Sequence, residues 1–189
     1  MDDNRRRRRR RRRLIASGLF LTFALTLAWI LESQSTTTVV FVRYAELAAG
    51  DSNNPGLSPA GQVRAEALAR LIGDIDVVAG IDAIFATQFR STQETAEPVA
   101  ERLQIPVQVV DSKNVDGLNR MILQEYKGKI VLVITDREAL PLLIRSFHGS
   151  KRLPPMADIE HDNLYIVSIP WYGKVKTLRL RFGVPSLDR

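Results

Sequence analysis

The sequence predicts one α/β domain, with a mainly parallel sheet and helices on both of its faces, preceded by one apolar N-terminal helix. After residue 37, β-branched apolar runs alternate with helical patterns, which is typical of a parallel sheet. The run IVLVIT at 130–135 is almost entirely apolar, as expected of a central strand that is covered on both sides. The 189 residues allow one domain and a short appendage.

An uncharged run of eighteen residues, 14–31, follows nine consecutive arginines, Arg5–Arg13. As a helix it spans roughly 27 Å, close to the thickness of a bilayer core. We expect residues 1–13 to be a basic cytoplasmic tail, 14–31 a single transmembrane helix and 32–37 a linker. The domain at 38–189 then lies on the opposite, periplasmic or extracytoplasmic side. The alternative is a signal peptide that is cleaved after Ser35 and leaves a secreted domain.

The basic charge of the chain is concentrated in this tail. The net charge is +6, and the tail supplies nine of the 27 Lys and Arg residues. Residues 36–189 contain 18 basic and 18 acidic residues, so no nucleic-acid partner is expected for the domain. The arginines are suited instead to fixing membrane topology and to contacting anionic lipid headgroups.

The residue types available to a catalytic site are restricted. The chain has no cysteine, which excludes disulfides, thiolate metal sites and a cysteine nucleophile. Its two histidines, His148 and His161, are not in a metal-binding spacing such as H-E-x-x-H. We therefore expect no metal and no cofactor.

The elements of the domain follow from periodicity and turn residues. Strands are predicted at 38–43, 81–87, 107–110, 130–135, 164–169 and 175–180. Helices are predicted at 60–72, 91–103, 115–126 and 139–147. Ser58 is expected to cap the first of these helices, with Pro59 at its first position. Gly, Asn and Pro make 45–57 a loop, and Gly173 lies in a turn that makes the last two strands a hairpin.

Charged residues follow three of the predicted strands, at the sheet edge where α/β proteins collect ligands. Arg43, with Tyr44 beside it, ends the first strand, Arg90 follows the second, and Asp136 and Arg137 follow the strand at 130–135. A guanidinium can donate two hydrogen bonds to a phosphate, which favours a phosphate site. The same spacing is also compatible with internal ion pairs from Arg43 and Arg90 to Asp136 or Glu46.

Five collinear segments resemble the histidine phosphatase superfamily, also called the phosphoglycerate-mutase-like fold. They are VFVRYAE, NPGLSPAGQVRA, FATQFRSTQETAEP, VLVITDREALP and LPPMADIEHDNLY, and together they cover about residues 38–182. In that family the first segment reads Arg-His-Gly or Arg-His-Ala, and its histidine is the phosphorylated nucleophile. The resemblance implies a phosphate pocket formed by this histidine, two arginines and a second histidine.

The resemblance assigns Arg43 and Arg90 to the two pocket arginines, while Tyr44 and Asp136 stand where the two histidines belong. A pocket asparagine of the family corresponds to Asn53 or Asn54. A phenol, with a pKa near 10, is a weak nucleophile at neutral pH. A carboxylate about 4 Å from a phosphoryl group costs roughly 4 kcal/mol at an effective dielectric of 20. Surface or supporting roles are expected for both His148 and His161.

The sequence thus predicts a membrane-anchored histidine-phosphatase-like protein that is catalytically impaired and acts as a phosphate-ligand-binding or regulatory module. A phosphorylated small molecule or a phosphoprotein is the expected partner of the pocket. One alternative is a residual phosphomonoesterase that uses the two arginines. The other is a structural partner in a membrane complex. The sequence leaves the ligand and the oligomeric state open.

Overall fold

The computed structural model describes residues 2–32, 36–50, 53–74, 80–154 and 156–186, and the side chains of the first range at residues 13–28. Two compact units divide the chain, Met1–Ser35 and Thr36–Arg189.

The first unit is the helix α1, Asp2–Glu32, which includes both the arginine tail and the apolar run predicted to cross a membrane. The Thr22 hydroxyl donates to two carbonyls of the preceding turn at 3.1 and 2.9 Å, and the Thr26 hydroxyl donates to the Thr22 carbonyl. These hydroxyls are therefore satisfied within the helix. In the part of the chain that the structure describes, no helix is long and apolar enough to cross a membrane. The predicted cleavage position after Ser35 lies outside the described residues.

The second unit is built on a six-stranded sheet of order β3-β2-β4-β1-β5-β6. The strands are β1 Thr37–Arg43, β2 Ala83–Thr87, β3 Val107–Val110, β4 Ile130–Thr135, β5 Asn163–Ile169 and β6 Lys176–Arg181. Strands β1 to β4 pair in parallel, whereas β5 is antiparallel to both of its neighbours. The predictions of a mainly parallel sheet and of a final hairpin are confirmed.

Four helices cover the two faces of this sheet: α2 Pro59–Asp74, α3 Arg90–Leu103, α4 Val115–Glu125 and α5 Ala139–Ser146. Alternate side chains of β1 point to opposite faces, so Phe41 packs in a core with residues of α4 and α5, and Val42 in a core with residues of α2 and α3. The predicted three-layer arrangement is therefore present. The Ser58 hydroxyl accepts from the Gly61 N–H at 3.1 Å and caps α2, as predicted.

The parallel register places the ends of β1 and β4 side by side. Arg43 is the register partner of Thr135, and the Tyr44 N–H donates to the Thr135 carbonyl at 3.1 Å. Consequently Tyr44 and Asp136, the next residue along each strand, lie at one point on the carboxyl edge of the sheet.

Candidate functional site

A pocket of about 690 Å³ lies at this carboxyl edge. Arg43, Tyr44 and Asp136 line it, together with Asn53 and Asn54 from the loop before α2. Three of the four predicted site residues therefore meet in one cavity. The remaining wall is mixed, with the apolar side chains Leu47, Phe89, Val115, Ala139 and Leu142 and the charged side chains Lys113, Arg137, Glu138 and Asp158.

Arg43 is buried at the pocket, with 4% of its surface exposed. Its Nη1 donates to the carbonyls of Ala157 and Glu160 at 3.0 and 3.1 Å, and its guanidinium carbon lies 5.1 Å from the centre of the Tyr44 ring. In the described part of the chain no carboxylate forms an ion pair with Arg43, and its Nε has no hydrogen-bond partner. The alternative of an internal ion pair from Arg43 to Asp136 or Glu46 does not occur, so the positive charge is not neutralised by a neighbouring acid.

The Tyr44 main chain is held by a buried histidine that does not line the pocket. The Nδ1 atom of His161 lies 2.8 Å from the Tyr44 carbonyl, and the two rings are 5.8 Å apart. Because a carbonyl only accepts, Nδ1 carries the proton. Burial lowers the pKa of His161 and the Arg43 charge lowers it further, although the bond to the Tyr44 carbonyl opposes this. A neutral His161 supports the strand end and does not reach the cavity.

Asp136 caps the helix that follows its strand. Its Oδ1 accepts from the backbone N–H groups of Glu138 at 3.0 Å and Ala139 at 2.8 Å, at the start of α5. Its Oδ2 is buried and has no hydrogen-bond partner within the described residues. Arg137 pairs with Asp158 rather than turning toward Asp136. Asp136, which the resemblance aligns with the family's second histidine, thus stabilises the start of α5 and brings a negative charge to the pocket wall.

The structure places Arg90 outside the pocket, contrary to the expectation that it would face Arg43. Its side chain is 65% exposed, and its Nε donates to Glu94 at 2.6 Å on the outer surface of α3. Successive residues of a helix are turned by about 100°. The following residue, Ser91, is therefore the one that is buried and lines the cavity. At this corner the cavity is therefore lined by a hydroxyl and not by a guanidinium.

A largely buried ion pair, which the sequence did not indicate, joins Arg64 to Glu46, two residues after the pocket residue Tyr44. Arg64 of α2 donates to both carboxylate oxygens of Glu46, with distances of 2.6 and 2.9 Å, just after β1. Burial raises the pKa of Glu46, but the hydrogen bond and charge of Arg64 outweigh it and leave the pKa lowered. Arg64 also donates to the carbonyls of Phe182 and Val184, tying the end of the chain to α2.

Metal ligation has no support in the described residues, which contain no group of three or more His, Asp or Glu side chains able to hold an ion.

Comparison with solved structures finds the same arrangement of elements. The protein histidine phosphatase SixA, solved with tungstate, aligns with a TM-score of 0.63 at 17% identity, covering 76% of this chain and 96% of SixA. A SixA protein of Agrobacterium tumefaciens aligns with a TM-score of 0.58 at 18% identity, covering 79% of this chain and 99% of the other. The chain has the histidine phosphatase fold.

A more distant match extends the range of chemistry found on this fold. A mycobacterial glucosyl-3-phosphoglycerate phosphatase aligns with a TM-score of 0.57 at 11% identity, covering 81% of this chain and 100% of the other. No protein-family model and no curated protein matches the sequence. At these identities the likeness establishes the fold, and the chemistry has to be argued from the residues of this pocket.

Proposed function

We propose that this protein, which has the histidine phosphatase fold, is not a catalyst. It binds a phosphorylated small molecule or a phosphoprotein through Arg43. One observation supports this best. Arg43 keeps an unpaired charge in the pocket, while Tyr44 and Asp136 occupy the places of the two histidines and neither histidine of the chain lines the cavity.

Each replacement removes part of the phosphoryl-transfer chemistry. A phenol is mostly protonated at neutral pH and needs a nearby base to attack phosphorus. The Asp136 carboxylate repels the transferring group instead of stabilising its charge. Arg90, which the resemblance assigns to the second pocket arginine, pairs with Glu94 and does not line the cavity. Among the described residues two arginines line the pocket, and Arg137 is paired with Asp158, so of these two Arg43 alone offers a charge that no acid neutralises, which suits binding better than turnover.

The test combines turnover and ligand binding on the full-length chain. Hydrolysis of p-nitrophenyl phosphate is compared between the wild type and Tyr44→Phe, which removes only the phenolic hydroxyl. Arg43→Ala is less suitable alone, because the side chain also supports the Ala157 and Glu160 carbonyls. We expect no turnover above background in either protein. Turnover that disappears in Tyr44→Phe would instead establish the residual phosphomonoesterase.

Ligand binding is measured as thermal stabilisation by inorganic phosphate and vanadate. A ligand at 100 times its Kd stabilises the folded state by about 2.7 kcal/mol, a shift of several degrees. Asp136→Asn keeps a carbonyl oxygen for the helix cap and removes the negative charge, so it should bind phosphate at least about tenfold more tightly. No stabilisation in the wild type or in Asp136→Asn would favour the structural-partner alternative.

We further propose that the N-terminal segment holds the protein at a membrane, with the arginine tail on the cytoplasmic side. The support is the sequence alone, in which nine arginines precede eighteen uncharged residues. Alkaline carbonate extraction of membranes from cells that express the full chain tests this. The tethered chain should stay in the pellet, whereas deletion of residues 14–31 should release it. Full release of the intact chain, or of a shortened chain, would contradict the tether.

A further inference from the structure

We propose that the amino edge of the sheet, opposite the pocket, carries a second binding surface, which contacts an anionic lipid membrane. The surface is centred on the turn between β5 and β6, residues 170–176, here named the hairpin tip. It is argued only from residues 36–186 and stands whether or not the N-terminal segment crosses a bilayer.

The hairpin tip exposes two large aromatic side chains. Trp171 is 61% exposed and Tyr172 is 89% exposed, an unusual amount of aromatic surface for one turn. Trp and Tyr are the residues that favour the membrane–water interface, because each ring is apolar with one polar group. In the edge strand β6 the side chain of Leu178, two residues after Lys176, is 55% exposed.

Lysines from three separate parts of the chain surround the tip. Ile169 is the register partner of Thr37, and the Thr37 hydroxyl accepts from the Gly128 N–H at 2.8 Å. The turn that contains Gly128 therefore lies beside the tip. The Ser150 N–H donates to the Thr177 hydroxyl at 2.9 Å, which brings the segment after α5 to the start of β6. The exposed lysines at this edge are Lys127, Lys129, Lys151, Lys174 and Lys176.

Charge complementarity selects the partner. The domain has equal numbers of basic and acidic residues, so five lysines at one edge are a local excess. Acidic residues of the described chain also lie at this end, among them Asp74 at the end of α2, Asp82 and Glu125. Asp74 lies 3.7 Å from Arg102, and the Asp82 carboxylate accepts from the Ile130 N–H at 2.8 Å. Lysines beside exposed aromatics match a lipid surface, where each cation contributes about 1 kcal/mol to the attraction.

The position of the surface agrees with this partner. The pocket lies at the opposite, carboxyl edge. A membrane bound at the tip would leave the pocket open to solvent.

Residues 36–189 are suited to the test because all buried core residues of the described chain lie between Thr37 and Ser186. Trp171 is the only tryptophan in this range, so its fluorescence reports on the tip alone. The protein is mixed with vesicles of phosphatidylcholine, or with vesicles in which about a third of the lipid is phosphatidylglycerol. We expect co-sedimentation and a blue shift of Trp171 emission only with the anionic vesicles.

Two paired variants locate the contact. Lys174→Glu with Lys176→Glu should lower the partition coefficient by at least about tenfold, since two attractive charges become repulsive. Lys113→Glu with Arg120→Glu makes the same charge change on the loop before α4 and on α4, and should have little effect. Trp171→Ser with Tyr172→Ser should weaken binding at unchanged charge. Circular dichroism confirms that each variant is folded.

Three results would overturn the proposal. The first is no binding to anionic vesicles. The second is an equal loss in the Lys113 and Arg120 variant, which would mean that only overall charge matters. The third is a blue shift of Trp171 that depends on protein concentration and not on lipid, accompanied by dimers in sedimentation velocity. That outcome would assign the tip and β6 to an interface between two copies of the chain.

Discussion

The buried pair of Arg64 and Glu46 gives the sharpest stability prediction, and the perturbation is Arg64→Ala. The Arg64 side chain is 8% exposed, and it donates to Glu46, to the Val184 carbonyl at 2.9 Å and to the Phe182 carbonyl at 3.3 Å. Its removal leaves a carboxylate and two carbonyls without their donor. These three partners lie in two segments, one after β1 and one after β6, so the loss also loosens the contact of residues 182–184 with α2.

The expected cost is about 3 kcal/mol. Removal of one member of a buried ion pair typically costs 3–5 kcal/mol. We take the lower end of this range because Glu46 is 27% exposed and can be partly rehydrated. In a domain of this size that loss lowers Tm by about 6–12 °C. Glu46→Gln should cost less, because it leaves a neutral amide that still accepts a hydrogen bond.

The assay is thermal and urea unfolding at pH 7 of the wild type, both single variants and the double variant. The pKa of Glu46 is lowered in the folded state, so its contribution is complete above its ordinary pKa near 4.3 and is lost as the pH falls through the folded value. The difference between wild type and Arg64→Ala should therefore shrink below about pH 4. A cost under about 1 kcal/mol at pH 7, or a double-mutant coupling near zero, would refute the reasoning.

Three further predictions concern the pocket and its support. His161 has a lowered pKa, so stability should fall as the pH drops below about 6.5, and His161→Phe should reduce this dependence in melting curves at pH 7.5 and 5.5. Asp136→Ala should cost about 1 kcal/mol in urea unfolding through loss of the α5 cap, whereas Asp136→Asn should cost less. Gly61→Ala should destabilise by at least about 2 kcal/mol, because its Cβ would lie 2.2 Å from the Glu46 carbonyl oxygen.

The fold was predictable because its strands are short apolar runs bounded by turn residues. The prediction for 130–135 matches β4, and the predicted helix at 115–126 ends one residue after α4. Both signals are local, since burial on two faces requires an apolar run and burial on one face requires helical spacing. Where boundaries moved, as in β2, which starts at Ala83 instead of residue 81, the shift is of the size at which helix and strand ends vary.

The site was less predictable because a side chain's direction depends on helical phase. Arg90 and Ser91 are adjacent in sequence, yet one faces solvent and the other the cavity, and the start of α3 decides between them. The ion pair of Arg64 with Glu46 connects α2 to the segment after β1. Helical and strand periodicity describe residues within one element, so neither predicts this pair. His161 lies just before β5, the strand that neighbours β1, and contacts the Tyr44 carbonyl from there. The sequence carries no signal for this contact.

Tyr44 and Asp136, which the resemblance aligns with the family's two histidines, both have structural partners, and these partners determine how well a histidine would be tolerated at each position. Asp136 caps α5 through two backbone N–H groups, a task for which an acceptor is needed, and Tyr44 presents its carbonyl to His161. Asp136→His would therefore lower the free energy of unfolding by about 1 kcal/mol, because the cap of α5 is lost. Tyr44→His alters only a side chain and leaves that carbonyl bond in place. A histidine should thus be tolerated more easily at position 44 than at position 136, and neither substitution brings Arg90 into the pocket.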